Sequence, residues 1–162
     1  MFHANQILPV QYIIERYDTT HRLSFTPGTT DYYQAKQWLF FQMSGQGPYY
    51  GQASWFSQVG RFHPEKVPSA IERYVNEVNR VTGILEGQLL LQKEKYGTGP
   101  WIVGGKYSFV DISFLAWQSA MPRILSKEQY DVEAYPNVKE WLENMHGREK
   151  VKDFFEKWAR PE

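Results

Sequence analysis

The feature that most constrains this chain is one long run of apolar residues at helical spacing. Between residues 67 and 95 the apolar side chains recur every three or four positions, which is one face of an α-helix. The members of this face are Val67, Ile71, Tyr74, Val78, Val81 and Leu85. No other stretch alternates as a strand would, and no internal repeat is present. The sequence therefore predicts an all-α fold with a single helical domain over residues 1–162.

The strongest local signal is the motif S-F-V-D at residues 108–111. A serine followed three residues later by an acid forms a capping box, in which each side chain satisfies a free backbone N–H. Tyr107 and Ile112 are placed to form the accompanying hydrophobic staple. The helix that follows is apolar nearly all round through Ala120, so we expect Ser108 and Asp111 to be structural residues of a buried helix.

Four further helices complete the prediction. A short amphipathic helix covers residues 7–17, and a second begins at Asp31, which we expect to be its N-cap. Two more are expected near residues 138–145 and 149–159. Turn-rich segments containing Gly and Pro separate these elements.

Between Gln37 and Phe56 the chain concentrates aromatic residues around an expected helix break. Gly45 and Gly47 supply free backbone angles and Pro48 lacks a backbone donor, so we expect residues 44–50 to form a loop. Aromatic walls with a few neutral hydrogen-bonding side chains suit an apolar or flat small molecule. Plain core packing around the break is an equally weighted alternative.

Composition excludes several classes of function. Lys and Arg number 18, as do Asp and Glu, so there is no net charge to attract nucleic acid or a membrane surface. The chain has no cysteine, which excludes disulfides, thiolate metal sites and a cysteine nucleophile. Its four histidines show no metal-ligand spacing, and it has no apolar run long enough for a membrane span. We expect no nucleic-acid, membrane or metal partner, and a cytoplasmic location.

Three stretches, taken together, resemble one protein family. Residues 12–18 read Y-I-I-E-R-Y-D, residues 38–52 contain W-L-F-F-Q and G-Q-G-P-x-x-G-Q, and residues 71–78 read I-E-R-Y-x-x-E-V. In order and spacing they resemble the C-terminal helical domain of fungal glutathione S-transferases, in the branch that includes the yeast nitrogen-regulatory prion protein. The pattern W-x-V-G-x-K-x-S-x-x-D at residues 101–111 is similar to the capping box of that family.

The resemblance implies a thioredoxin-like N-terminal domain for which this chain has no room. In the family that domain holds the catalytic residue and most contacts to glutathione. Residues 1–18 would correspond to its last helix and residues 31–160 to the helical bundle. The family's Glu-Ser pair, which binds glutathione, falls at Asn5 and Gln6, and neither family residue is kept. The resemblance implies glutathione as cofactor, with Asn5, Gln6, Gln46 and Gln52 as candidate contacts.

The resemblance also implies a pocket for a hydrophobic substrate. Its expected lining is Trp38, Phe41, Gln42, Ser44, Tyr49, Tyr50 and Trp117. Because the chain has no cysteine, any thiol must come from glutathione. Tyr49 or Tyr50 could then donate a hydrogen bond to a developing thiolate or enolate, as an oxyanion donor does.

The first functional hypothesis is a transferase-like enzyme that acts on a hydrophobic electrophile. The reaction would be glutathione conjugation or glutathione-assisted isomerisation of a double bond, as in enzymes recruited by fungal secondary metabolism.

A non-catalytic binding or dimerisation module is the second hypothesis, and a shortened form of a longer protein is the third. Loss of the first domain would expose apolar surface on the helices around Trp38 and Tyr74. Such surfaces are usually covered by self-association, so we expect a homodimer.

Overall fold

The computed structural model describes residues 7–158, and the chain there is helical throughout its regular structure. The helices are α1 (Ile7–Tyr17), α2 (Thr30–Phe41), α3 (Gly47–Ser57), α4 (Pro68–Tyr96), α5 (Phe109–Ile124), α6 (Pro136–His146) and α7 (Glu149–Trp158). A π-helical turn, Gln42–Gln46, joins α2 to α3, and a short 3-10 turn, Val132–Ala134, precedes α6. No strand forms among residues 7–158, and the all-α prediction is confirmed.

The long helix α4 is the axis of the bundle. It packs against α3 and α6, while α5 packs against α2, α3 and α6. The predicted apolar face of α4 points inward, and Val78, Val81 and Leu85 have no exposed surface. Complete burial of a side chain of this size contributes about 1.5–3 kcal/mol, so the periodic face of α4 stabilises much of the bundle.

The predicted helix break between α2 and α3 is wrong. The backbone stays helical through Gln42–Gln46, because the wider π-helical turn bonds the N–H of Gly47 to the carbonyl of Gln42. Pro48 lies in the first turn of α3, where its fixed backbone angle is compatible with a helix. Gly45 has a packing role, since a Cβ there would lie 3.2 Å from the ring of Phe41. The expected loop is therefore part of one continuous helical segment.

The predicted capping box is confirmed at the start of α5. The backbone N–H and hydroxyl of Ser108 both donate to Asp111 Oδ2, at 2.8 Å and 3.0 Å. Asp111 Oδ1 accepts two more bonds, from the backbone N–H of Ile102 at 3.1 Å and from Trp141 Nε1 at 3.0 Å. Asp111 is fully buried, so one carboxylate joins α5, α6 and the preceding turn.

The remaining boundaries agree with the sequence except at the end of α5, which continues past Ala120 to Ile124 with Pro122 inside the helix, and at the start of α2. Its N-cap is Thr29, whose hydroxyl accepts a bond from the backbone N–H of Tyr32 at 3.3 Å. Asp31 lies instead in the first turn, where its negative charge interacts favourably with the helix dipole and stabilises the helix. Among residues 7–158, no helix combines the length and hydropathy that crossing a membrane requires.

Candidate functional site

Tyr50, one of the two candidate catalytic tyrosines, lies at the centre of the bundle with no exposed surface. Its hydroxyl donates to Gln118 Oε1 at 3.0 Å and is hydrogen-bonded to Thr82 Oγ1 at 2.8 Å. Burial raises the pKa of Tyr50 far above that of an ordinary phenol. Because the neutral hydroxyl of Tyr50 is buried and hydrogen-bonded within the protein, it cannot contact a substrate in this conformation. The structure places Tyr50 in the core.

Tyr50 belongs to a buried cluster of polar side chains, which we call the amide network. Gln46 Nε2 donates to the carbonyl of Phe114 at 3.1 Å and to Gln118 Oε1 at 3.3 Å. Gln118 Nε2 donates to the hydroxyl of Tyr130 at 2.7 Å, and Gln42 Nε2 donates to Gln46 Oε1 at 3.3 Å. Gln42 and Gln46, expected at the substrate and glutathione sites, thus bond to the protein itself. The network comprises Gln42, Gln46, Tyr50, Thr82, Gln118 and Tyr130.

Three predicted pocket residues are half-buried aromatic side chains that pack beside this network. Trp38 packs edge-on against Phe41, with ring centroids 5.5 Å apart, and both rings pack against Phe114. Trp117 packs edge-on against Tyr50 at 6.5 Å. We call Trp38, Phe41 and Trp117 the aromatic face; each keeps part of its surface open to solvent.

The other predicted site residues are more scattered. Tyr49 is half-buried, and its ring lies 6.4 Å from that of Tyr74 on α4. Ser44 and Gln52 are exposed, and the Ser44 hydroxyl donates to the carbonyl of Phe40 at 2.7 Å. Asn5 and Gln6 lie outside the described residues.

A concavity lies elsewhere among the described residues, where α1, its connector and the start of α2 meet. This α1–α2 cavity has a volume of about 320 Å³ and contains none of the predicted pocket residues. Its floor is buried and apolar, formed by Phe25, Ala35 and Phe109. The remaining lining is Gln11, Ile14, Glu15, Asp18, Thr19, His21, Ser24, Pro27, Tyr32 and Lys36.

Sequence reasoning missed both the amide network and this cavity. A weak signal for the network was present, since Gln118 and Thr82 are polar residues on otherwise apolar helix faces. The cavity has no sequence signal because it combines three separate segments. In the part of the chain that the structure describes, no cluster of three or more His, Cys, Asp or Glu side chains could hold a metal ion.

Comparison with known proteins gives a consistent family assignment. A family model described as "Glutathione S-transferase, C-terminal domain" matches residues 56–158. The glutathione S-transferase-like protein gedE of Aspergillus terreus is 52% identical over 145 residues, covering 88% of this chain and 63% of gedE. The glutathione S-transferase-like protein tpcF of Aspergillus fumigatus is 57% identical over 141 residues, covering 86% of this chain and 61% of tpcF. The chain thus spans about three fifths of these two relatives.

A solved structure of a fungal relative extends the match to three dimensions. The glutathione transferase URE2P6 from Phanerochaete chrysosporium, in complex with oxidized glutathione, is 42% identical with a TM-score of 0.79. The alignment covers 98% of this chain and 67% of URE2P6. The family predicted from the three sequence stretches is confirmed. The chain belongs to the glutathione S-transferase family, in its fungal Ure2p-like branch, and carries the C-terminal helical domain.

Proposed function

We propose that this chain forms the helical part of a glutathione-dependent enzyme that acts on a hydrophobic electrophile. The observation that carries the proposal is the match to URE2P6, which aligns over nearly the whole chain and was crystallised with oxidized glutathione. The reaction would be glutathione conjugation or glutathione-assisted isomerisation of a double bond. Action in fungal secondary metabolism and a cytoplasmic location remain predictions.

The aromatic face suits the hydrophobic part of such a substrate. Trp38, Phe41 and Trp117 are large and held by packing against Phe114 and Tyr50, so binding costs little side-chain entropy. Their partial exposure leaves area for a flat or apolar group to cover.

Enclosure of Tyr50 leaves Tyr49 as the accessible phenol of the candidate pair. In both reactions the glutathione thiolate adds to an electrophilic carbon. Conjugation keeps the new C–S bond and is completed by loss of a leaving group such as chloride or by protonation of the neighbouring carbanion, whereas isomerisation breaks the C–S bond again after rotation about the former double bond. We assign Tyr49 as the hydrogen-bond donor to the charge that develops in either reaction.

Turnover with 1-chloro-2,4-dinitrobenzene tests this proposal. We expect conjugation above the uncatalysed rate, and Trp117→Ala should lower kcat/KM by about tenfold through loss of apolar contact. Trp55→Ala is the matched control, because Trp55 is an exposed tryptophan that stacks on Phe62 instead. Absence of enzyme-dependent conjugation, for this electrophile and for conjugated alkenes, would contradict the enzymatic proposal.

A dimerisation module is the second candidate, favoured by the outer surface of α1. Its exposed apolar side chains are Leu8, Tyr12, Ile13 and Tyr17. Exposed apolar side chains grouped on one helix are often covered by a partner, and we propose a homodimer. Light scattering at micromolar concentration should give twice the mass of the chain, and Tyr12→Glu should shift the equilibrium toward monomer. A monodisperse wild-type monomer would contradict the homodimer.

A further inference from the structure

We propose that Gly51 on α3 is a positioning residue that sets the width of the electrophile, because its bare backbone lets the indole of Trp117 lie against α3. This role rests on the proposed function and deepens it, since Trp117 belongs to the aromatic face. Sequence reasoning placed Trp117 in the pocket but gave Gly51 no role at the site.

The indole of Trp117 lies against two consecutive residues of α3. It packs edge-on against the ring of Tyr50, with centroids 6.5 Å apart. At the next residue, a Cβ on Gly51 would lie 3.8 Å from both Cζ2 and Cη2 of Trp117. This is an ordinary contact distance, so a methyl group fits there, but further atoms directed at the ring would overlap the indole.

The buried side of this contact is fixed by the amide network. Tyr50 is fully buried, and its hydroxyl is hydrogen-bonded to Thr82 Oγ1 at 2.8 Å and donates to Gln118 Oε1 at 3.0 Å. Gln118 follows Trp117 on α5, so the same bonds hold the part of α5 that carries the indole. Because the interior is closely packed, a larger side chain at Gly51 should move the half-buried indole and not the two helices.

The aromatic face has two parts, one carried by α2 and one by α5. The part on α2 is Trp38 and Phe41, whose ring centroids lie 5.9 Å and 6.4 Å from that of Phe114. Phe114 and Trp117 are three residues apart on α5, so their side chains are neighbours on the surface of that helix. The indole of Trp117 therefore continues the surface that Trp38 and Phe41 begin.

The place of the indole selects electrophiles by width. Two fused rings can cover both parts of the aromatic face, whereas a single ring can rest on Trp38 and Phe41 alone. Displacement of Trp117 should therefore slow the reaction of both electrophiles, and that of the fused one more. A lost apolar contact of this size changes the ratio of two kcat/KM values by about tenfold.

Turnover of two electrophiles by Gly51→Val tests the selection by width. Valine adds two atoms beyond Cβ and is stiff in a helix, so it should displace the indole. With glutathione, we expect the ratio of kcat/KM for 4-chloro-7-nitrobenzofurazan, which has two fused rings, to that for 1-chloro-2,4-dinitrobenzene to fall at least about fivefold. Gly87→Val on α4 is the matched control, because a Cβ there has no neighbour within 4 Å, and it should leave the ratio unchanged.

Fluorine NMR of the chain labelled with 5-fluorotryptophan tests the positioning role directly. The chain has six tryptophans, and the signal of Trp117 is the one that Trp117→Phe removes. Gly51→Val should shift this signal, and Gly87→Val should not. An unshifted Trp117 signal in Gly51→Val, or equal rate ratios in the two valine variants, would overturn the positioning role. Absence of conjugation by the wild-type chain would overturn the proposed function, and the selection by width with it.

A second pair of variants keeps the test decisive if Gly51→Val fails to fold, as judged by circular dichroism. Trp117→Phe removes the outer ring of the indole, which holds the two atoms nearest Gly51, and should lower the rate ratio about as much. Trp55→Phe is its control, because Trp55 stacks on Phe62 instead, and it should leave the ratio unchanged. A ratio that Trp117→Phe leaves unchanged, or that both variants lower equally, would overturn the proposal.

Discussion

Two buried polar centres hold this bundle together, and they differ in charge. The first is the carboxylate of Asp111, which accepts hydrogen bonds from Ile102, Ser108 and Trp141. The second is the amide network, whose members are all neutral. Burial raises the pKa of Asp111 to about 6 and that of Tyr130 to about 12. The carboxylate centre therefore titrates near neutral pH, whereas the amide network keeps its protonation state.

The two centres connect the helices of the bundle in different ways. One carboxylate provides four acceptor contacts around a single residue, so α5, α6 and the turn at Ile102 depend on one side chain. The amide network spreads its bonds over the π-helical turn, α3, α4 and α5. Loss of one member there leaves other bonds in place.

Removal of the carboxylate should cause the largest loss of stability. Asp111→Ala leaves the N–H groups of Ile102, Ser108 and Trp141 buried without an acceptor, and we expect a loss of about 3–5 kcal/mol. Urea denaturation measures it. Asp131→Ala removes an N-cap that lies nearer the surface and should cost about 1 kcal/mol. Equal losses for the two variants would contradict the central role of Asp111.

Disruption of the amide network should cost less. Gln118→Leu keeps the side-chain size but removes the acceptor of Tyr50 and the donor to Tyr130, for an expected loss of about 2–3 kcal/mol. Thr82 and Tyr50 retain their mutual bond, which limits the loss. Because the network is neutral, urea denaturation should give the same loss at pH 5 and pH 8 within about 0.5 kcal/mol. A loss that changes strongly over this range would contradict a neutral network.

The titration of Asp111 predicts a specific pH dependence. Its pKa is raised in the folded state, from an ordinary 3.8 to about 6, so the folded protein binds the proton more tightly. The stabilisation is complete below the unfolded pKa and is lost as the pH rises through the folded pKa. From about pH 4 to about pH 7, Asp111 should therefore lower the free energy of unfolding by about 2 kcal/mol.

The difference between wild type and Asp111→Asn isolates this contribution, because all other carboxyl groups titrate in both proteins. The loss caused by Asp111→Asn should be larger at pH 4 than at pH 7. A loss that is independent of pH would show that the Asp111 pKa is the same in both states.

The smallest predicted change in stability is the difference between substitutions of the two adjacent tyrosines. Tyr50→Phe removes one hydrogen-bond partner from each of the buried side chains Thr82 and Gln118. This change should lower the free energy of unfolding by about 1–2 kcal/mol. Tyr49→Phe should change stability by less than about 0.5 kcal/mol, because Tyr49 is half-buried at the edge of the bundle. Thermal unfolding of both variants measures the contrast. Equal effects would contradict the assignment of Tyr50 to the core.

The sequence predicted what depends on local spacing. The capping box needs only Ser108 and Asp111, three residues apart, and the α4 face follows from helical periodicity. Helix α3 was missed because glycine and proline normally interrupt a helix, whereas here they sit in a π-helical turn and a first helical turn.

Features that bring together residues far apart in the chain could not be predicted from the sequence. The bond between Gln46 and Gln118 joins residues 72 positions apart, so nothing near Gln46 indicated that its amide would be buried. Tyr49 and Tyr50 have the same side chain, and only the position of α4 and α5 decides which one is enclosed. The α1–α2 cavity likewise exists only once three segments have met.

Thermal unfolding in the presence of millimolar glutathione tests the central claim most directly. An equimolar mixture of glutamate, cysteine and glycine is the control for ionic and thiol effects. A ligand that binds only the folded state, at a hundred times its Kd, adds about 2.7 kcal/mol of stability. For a chain of this size that raises the Tm by several degrees, and we predict such a rise with glutathione alone. An unchanged Tm, or an equal change with the amino-acid mixture, would contradict a glutathione-dependent function for this chain.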